Sequence, residues 1–304
     1  MQVLVTGGAG FIGYHTCLEL CSQGHSVVIF DNLSSGNASL VDDVIERYPK
    51  QAVFFYGNVK DLPRWSFTPD AIMHLAAKAS VQQSVKDPVT SSDTNILGFT
   101  GVCEFASQNN IPRIVYASSA AVYGERSRCE EYTEDLTPMS PYGLDKVFNE
   151  MQGRFYTEFY GIETVGLRYF NVYGPHQNKN YAGVISNFIH CIKNNLPLII
   201  YGSGVQSRNF IHVKDVAKIN AYALTEGFNN YILNVGNPDG QFFVKEIFYM
   251  LQHLFGRDLD LKYLPEREGD IQNSYPLLTR LYQSYPDYND MISMETGLRS
   301  LLEK

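Results

Sequence analysis

No apolar run in this chain approaches the length that spans a bilayer, and Met1 leads straight into a short β-branched strand, so neither a membrane anchor nor a leader is expected. Basic residues are in deficit. With 24 Lys plus Arg against 32 Asp plus Glu the net charge is −8. That balance leaves no broad cationic face for nucleic acid or an anionic membrane, although a local pocket for a phosphate-bearing ligand stays open. Cys17, Cys21, Cys103, Cys129 and Cys191 form an odd set without C-x-x-C spacing, so neither a disulfide framework nor a zinc site or other metal centre is expected. The setting that fits these absences is the cytoplasm. Internal repeats, low-complexity tracts and heptads are also absent, and 304 residues exceed the length at which one core usually stops growing, so roughly one and a half to two domains are expected.

Glycine is concentrated where the chain begins. In Val3-Leu4-Val5-Thr6-Gly7-Gly8-Ala9-Gly10-Phe11-Ile12-Gly13, the residues Gly8, Gly10 and Gly13 make G-x-G-x-x-G directly after a strand. The missing side chains permit a tight turn, let the backbone approach a pyrophosphate and let the next helix pack on the sheet with its positive end toward the phosphates. A helix from about 11 to 23 stops at Gly24, and Ser26-Val27-Val28-Ile29-Phe30 then forms a second strand ending in Asp31, 18 residues past Gly13. A carboxylate at that spacing accepts from an adenosine ribose and repels a 2′-phosphate, so the pattern predicts a dinucleotide site that favours NAD over NADP.

Further strands are predicted at 53–56, 71–75, 113–117 and 163–168, with helices near 90–109 and 142–160. This alternation predicts an α/β fold, a Rossmann-type doubly wound parallel sheet over residues 1–168. After Arg168 the chain turns to Gly-, Pro- and Asn-rich loops with shorter elements, which predicts a smaller C-terminal α/β substrate lobe over 169–304, with segments near 209–235 returning to the first unit. Within it a helix at 210–226, a strand at 231–235 and a helix at 243–255 ending at Gly256 are predicted.

Tyr142 and Lys146 lie four apart on a helix expected to begin after Pro141, so they share a face. Spacing alone says little: with 21 tyrosines, roughly one such pair arises by chance, and Tyr56 with Lys60 is a second, across a strand end and a loop. Tyr142 differs in its company. Ser119 closes the strand Ala117-Ser118-Ser119 at the sheet edge where the nicotinamide end of a dinucleotide belongs. A free phenol, with a pKa of about 10, is a poor base at neutrality. An ammonium about 4 Å away, together with a positive nicotinamide, favours the phenolate; at an effective dielectric of 20 one such charge contributes roughly 4 kcal/mol, or about three pKa units, which predicts that the Tyr142 phenol is brought near 7. A serine hydroxyl can then hold the substrate oxygen while the cofactor takes a hydride from the same carbon.

The motifs TGGAGFIG, DNLSSG, HLAAKASV, SSAAVYG, YGLDK, LRYFNVYGP, GSGVQSRNFIHVKDVA, NVG and PEREGD run in order over nearly the whole chain. As a set they make it resemble the extended short-chain dehydrogenase/reductases, in the NAD-dependent nucleotide-sugar epimerase/dehydratase group. The resemblance implies Ser119, Tyr142 and Lys146 as the catalytic set, Lys146 also binding the nicotinamide ribose. It implies cofactor contacts at Gly7, Gly10, Phe11, Ile12, Gly13, Asp31, Asn32, Ser35, Gly36, Asn58, Val59, Leu75, Ala76, Ala77 and Lys78, together with Tyr142 and Lys146. It implies substrate contacts at Lys78, Ser119, Ala120, Tyr142, Asn171, Arg208, Arg267, Asp270 and Ser274. The two arginines suit a diphosphate, because planar guanidinium forks bind phosphate oxygens bidentately. One departure is Asn58, where the family usually carries an aspartate at the adenine; an amide oxygen still accepts from an amino group, implying slightly weaker cofactor binding.

Dehydratases and decarboxylases of this group carry an acidic residue just after the catalytic hydroxyl, and here Ala120 and Ala121 occupy those positions. The expectation is therefore epimerisation at C4 of a nucleotide-diphosphate sugar through a transient 4-keto sugar, as in the group's UDP-glucose 4-epimerases. Ser274 is small where related enzymes vary side-chain bulk, which implies acceptance of N-acetylated sugars as well as UDP-glucose and UDP-galactose. A 4,6-dehydratase or a 2-epimerase is the alternative, and an NAD-sensing protein without chemistry is a more distant one. Helices near 94–109 and 142–160 resemble those that pair across a homodimer.

Overall fold

The computed structural model describes residues 1–177, 183–228, 231–266 and 271–302. Five β-branched and aromatic runs form β1 (Gln2–Thr6), β2 (Ser26–Asp31), β3 (Ala52–Tyr56), β4 (Ala71–His74) and β5 (Arg113–Ser119). Between them lie α1 (Phe11–Ser22), α2 (Ala38–Arg47), α3 (Val81–Lys86), α4 (Pro88–Ser92) and α5 (Gly98–Gln108). The chain continues through β6 (Arg128–Cys129), α6 (Pro141–Tyr160), β7 (Glu163–Tyr169), β8 (Asn171–Tyr173), α7 (Val184–Lys193), β9 (Leu198–Tyr201), β10 (Ser207–His212) and α8 (Val213–Thr225). It then forms β11 (Ile232–Val235), β12 (Gln241–Phe243), α9 (Val244–Phe255), β13 (Leu261–Leu264) and β14 (Tyr275–Pro276).

The large sheet runs β11-β7-β5-β4-β1-β2-β3, and every pairing in it is parallel. Helices cover both faces, which is why β1, β2 and β4 read as unbroken apolar runs rather than alternating ones. Strand order reverses between β1 and β4, where Thr6 pairs with His74, and a crevice opens outside the carboxyl ends at such a point. Beneath it Thr6 Oγ1 lies 2.8 Å from His74 Nδ1, and burial together with the Lys146 charge pushes His74 down to about 3.

β11 lies beside β7 in register Val235 to Tyr169, and α8 packs on α1, so residues from 213 to 235 sit with the large sheet. Leu278, Leu281 and Tyr285 join the same core as Val3, Cys17 and Leu20. A second core holds Ile185, Phe188, Ile200, Phe210, Ile247 and Leu251 between α7, α9, the three-stranded sheet β12-β10-β8 and the pair β13-β9.

Two elements depart from expectation. The helix foreseen near 90–109 is interrupted: α4 ends at Ser92 and residues Asp93–Leu97 widen into one π turn before α5. The helix foreseen at 210–226 begins only at Val213, because Phe210, Ile211 and His212 pair in parallel with Asn171, Val172 and Tyr173. A doubly buried strand and a buried helix share the same apolar run, so periodicity could not separate them.

Candidate active site

The loop from β1 to α1 is shaped by what its glycines omit. A Cβ on Gly7, whose φ is +72°, would stand 2.5 Å from Ala76 N, and one on Gly13 would stand 2.2 Å from Gly7 O. Gly10 caps α1 without a side chain, which leaves first-turn N–H groups to face an anion. At the end of β2, Asp31 accepts from Ala9 N at 3.1 Å and from Leu33 N at 2.8 Å; burial raises its pKa while these N–H groups oppose the rise.

These features line one cavity of about 420 Å³. Its wall brings together Gly7, Gly10, Phe11, Ile12, Asp31, Asn32, Ser35, Gly36, Asn58, Val59, Leu75, Ala76, Ala77, Lys78, Ser119, Tyr142 and Lys146. Gly13 is not part of this wall; it packs against the Gly7 and Gly8 backbone of the loop. Asn58 Oδ1 accepts from Lys60 N at 3.1 Å as the cap of a short 3₁₀ turn, so the oxygen expected to face an adenine amino group already serves the backbone.

α6 carries the other end of the cavity. Ser140 caps it by accepting from Gly143 N at 3.0 Å, Pro141 takes the first position, and Gly161 ends it in the left-handed region. Within its first turn, Tyr142 has the Ser119 hydroxyl at the tip of β5 as its hydrogen-bond partner. Lys146 Nζ donates to Ala117 O at 2.7 Å and lies 5.8 Å from the centre of the Tyr142 ring. The protein's own groups do not bring the phenol toward neutrality. Burial raises Tyr142 above its ordinary value, the Ser119 bond opposes the rise, and the Asp145 carboxylate adds to it. Burial also lowers Lys146 to about 8, and its ammonium is bonded to a backbone carbonyl rather than to the phenol.

Behind this pair stands a buried polar network that sequence reasoning missed. Asp145 accepts from Ser91 Oγ and Ser92 Oγ, each at 2.7 Å, and from Asn95 Nδ2 at 2.9 Å. Asn95, carried by the π turn, also clamps Lys78 by accepting from its N–H at 2.8 Å and donating to its carbonyl at 3.1 Å. The available signal was polar residues at inward positions of two helices, one of them inside the Tyr142–Lys146 turn.

A second cavity of about 200 Å³ shares Val172 and Gln177 with the first and is lined by Asn171 and Arg208. Asn171 Nδ2 donates to Asn209 O at 2.9 Å, and Arg208 Nη1 donates to Ser207 O at 2.9 Å. Ser274 lines neither cavity: it is buried, with its hydroxyl 3.9 Å from Cys129 Sγ and its N–H donating to Ser207 O. Ala120 opens the 3₁₀ turn after Ser119 and is likewise outside both walls. Arg267 and Asp270 lie outside the described residues. Tyr169, Phe170 and Gln177 line the first cavity without having been singled out.

Residues 3–236 match the model of the NAD dependent epimerase/dehydratase family. The chain belongs to that family. A putative UDP-glucose 4-epimerase of Methanocaldococcus jannaschii is 39% identical over 281 residues, covering 90% of this chain and 89% of the relative. A UDP-N-acetylglucosamine 4-epimerase of Methanobrevibacter ruminantium, solved with UDP-N-acetylmuramic acid, superposes with a TM-score of 0.90 at 34% identity, over 99% of this chain and 97% of that one. A UDP-glucose 4-epimerase of Thermus thermophilus, solved with NAD, gives a TM-score of 0.86 at 32% identity, over 100% and 98%.

The family's cofactor, NAD, fits what this member presents: a cradle that a single Cβ would fill, free helix N–H groups for the pyrophosphate and the Asp31 carboxylate for a ribose. Among the described residues no group of three His, Cys, Asp or Glu is placed to hold a metal, and no helix is long and apolar enough to cross a membrane.

Proposed function

We propose that this family member interconverts the C4 epimers of a UDP-hexose through a 4-keto sugar. The observation that carries the reading is the meeting of Ser119, Tyr142 and Lys146 at one end of a cavity whose other end is a dinucleotide cradle. When bound, oxidised NAD supplies a reversible hydride acceptor and a positive ring beside the phenol. Ser119 holds the sugar O4, and Tyr142 takes the O4 proton and later returns it after the sugar has presented its opposite face. Lys146 lends its charge to the phenol and its N–H groups to the cofactor ribose. Among the described residues Asp31 is the one acidic side chain in this wall, at the far end, while Ala120 and Ala121 follow Ser119. That lack of a second acid beside the reacting carbon favours epimerisation over dehydration.

The adjoining cavity with Arg208 and Asn171 suits the nucleoside diphosphate, since a guanidinium fork pairs with phosphate oxygens. Similarity to UDP-sugar epimerases supports uridine, and the likeness to a UDP-N-acetylglucosamine 4-epimerase supports N-acetylated sugars beside UDP-glucose and UDP-galactose. Along α6, Leu144, Phe148, Met151, Phe155 and Phe159 form an exposed stripe at helical spacing, with Phe159 71% exposed; a second copy of this chain, packing α6 on α6, is the occupant we assign to it. Five free cysteines fit a reducing cytoplasm.

Incubation of the NAD-loaded protein with UDP-glucose and with UDP-N-acetylglucosamine, followed by NMR, tests the reading. An epimerase yields an equilibrium mixture of epimers without net NADH. Accumulating NADH means a dehydrogenase, accumulating keto sugar a dehydratase, and unchanged sugar a sensor; turnover of the unacetylated pair alone removes the N-acetyl assignment.

A further inference from the structure

We propose that Asp145 is an electrostatic positioning residue for the proton-carrying pair that flanks it, a buried carboxylate held by neutral donors so that its charge acts on Tyr142 and Lys146 together. The inference rests on the roles assigned above to those two residues. Asp145 is 1% exposed, and its three partners, Ser91, Ser92 and Asn95, are all uncharged. A desolvated carboxylate requires such donors, but neutral donors leave its field standing where a cation would cancel it.

The surroundings of Lys146 single out this charge. On α6 it faces Tyr142, Asp145 and Glu150; from β4 it faces His74, which burial keeps neutral; from β5 it meets the Ala117 carbonyl. Tyr169, on β7, faces Tyr142 and is held far above its ordinary value by burial. Glu150 is the other carboxylate acting on Lys146, and it ranks behind Asp145 and is paired with a cation: Arg168 donates to it from Nε at 2.8 Å and from Nη2 at 2.7 Å. Asp145 thus supplies the larger negative influence on Lys146, from a carboxylate bonded to neutral donors, and it acts in the same direction on both neighbours. It helps Lys146 keep its proton against burial and raises the pH at which Tyr142 gives one up. The pair therefore titrates upward together.

Asp145→Asn tests this with little change of shape. The amide oxygen can take the bonds from Ser91 and Asn95, while the amide N–H donates to the Ser92 hydroxyl, which turns to accept. The titration of Lys146 is read directly by competitive acetylation of the full chain with acetic anhydride across a pH series and peptide mass spectrometry. Its midpoint is expected to fall by about one pH unit in Asp145→Asn, and again in the smaller Asp145→Ser. In the variants, the pH profile of UDP-glucose and UDP-galactose interconversion moves to lower pH on both limbs, whereas a purely structural role lowers its height and leaves both limbs in place. The double variant Ser91→Ala with Ser92→Ala loosens the grip yet keeps the charge, so its Lys146 midpoint stays. An unmoved midpoint in both uncharged variants, or an equal fall in the double variant, overturns the proposal. Because acetylation needs no substrate, a wild-type protein that labels as described but leaves UDP-sugars unchanged breaks the epimerase reading alone.

Discussion

The two cavities are built by different means. At its cradle end the larger one is walled by strand ends and the few residues after each, at β1, β2, β3, β4 and β5, so backbone atoms and absent side chains set its shape there, while Tyr142 and Lys146 of α6 close the other end. The smaller one is walled by side chains drawn from residues 171–177, 183–188, 199–210 and Val244, brought together by the β12-β10-β8 sheet and its helices. A site made of backbone follows from local sequence. A site made of side chains follows from tertiary packing, and it can be changed without disturbing the first.

Four experiments break or sharpen that contrast. Tyr142→Phe removes the proton carrier of the backbone-built cavity: turnover should drop by roughly 10²–10⁴ with NAD still bound, measured by NMR of the UDP-sugar mixture, and near-normal turnover sinks the catalytic assignment. Gly13→Ala forces a Cβ against Gly7 O, so NAD affinity by titration calorimetry should weaken by about tenfold or more and the melting temperature should fall. Arg208→Ala strips a charged fork from the side-chain-built cavity; KM for the UDP-sugar should rise about tenfold with kcat and NAD affinity nearly unchanged, and a loss of NAD binding would mean the two cavities are not independent.

The smallest effect concerns the floor beneath the switch point. His74 is lowered by burial to about 3, so between about pH 3 and its unfolded value near 6.5 the unfolded chain binds the extra proton. Stability from this group is therefore complete above about 6.5 and declines on acidification. Melting at pH 7 and pH 5 should differ by a few degrees, and His74→Gln should flatten the difference.

The glycine loop, Asp31, the parallel strands and the Tyr142–Lys146 turn were all readable in sequence because each requirement is met by residues adjacent in the chain or one helical turn apart. The start of α8 was not, since Phe210-Ile211-His212 is equally apolar as strand or helix until β8 arrives to pair with it. Nor was the ionisation of Tyr142, which depends on burial and on Asp145 rather than on distance to Lys146 alone. Asn58 shows the same limit, its oxygen claimed by Lys60 N, and so does Ser274, set against Cys129 instead of in a cavity wall. The α8 start and Ser274 are decided by neighbours remote in sequence, while Asn58 and Tyr142 turn on near neighbours whose side chains or N–H groups come into play only once the local fold and its burial are set.

Since α8, β11, Leu278, Leu281 and Tyr285 complete the core around α1 and β7, a nascent chain leaving the ribosome carries β7 as an open edge from the synthesis of Tyr169 until that of Ile232. Capture of that edge by a neighbouring polysome-bound chain is the hazard of the interval. The edge closes when β11 emerges and pairs with it, from Ile232 against Gly166 to Val235 against Tyr169.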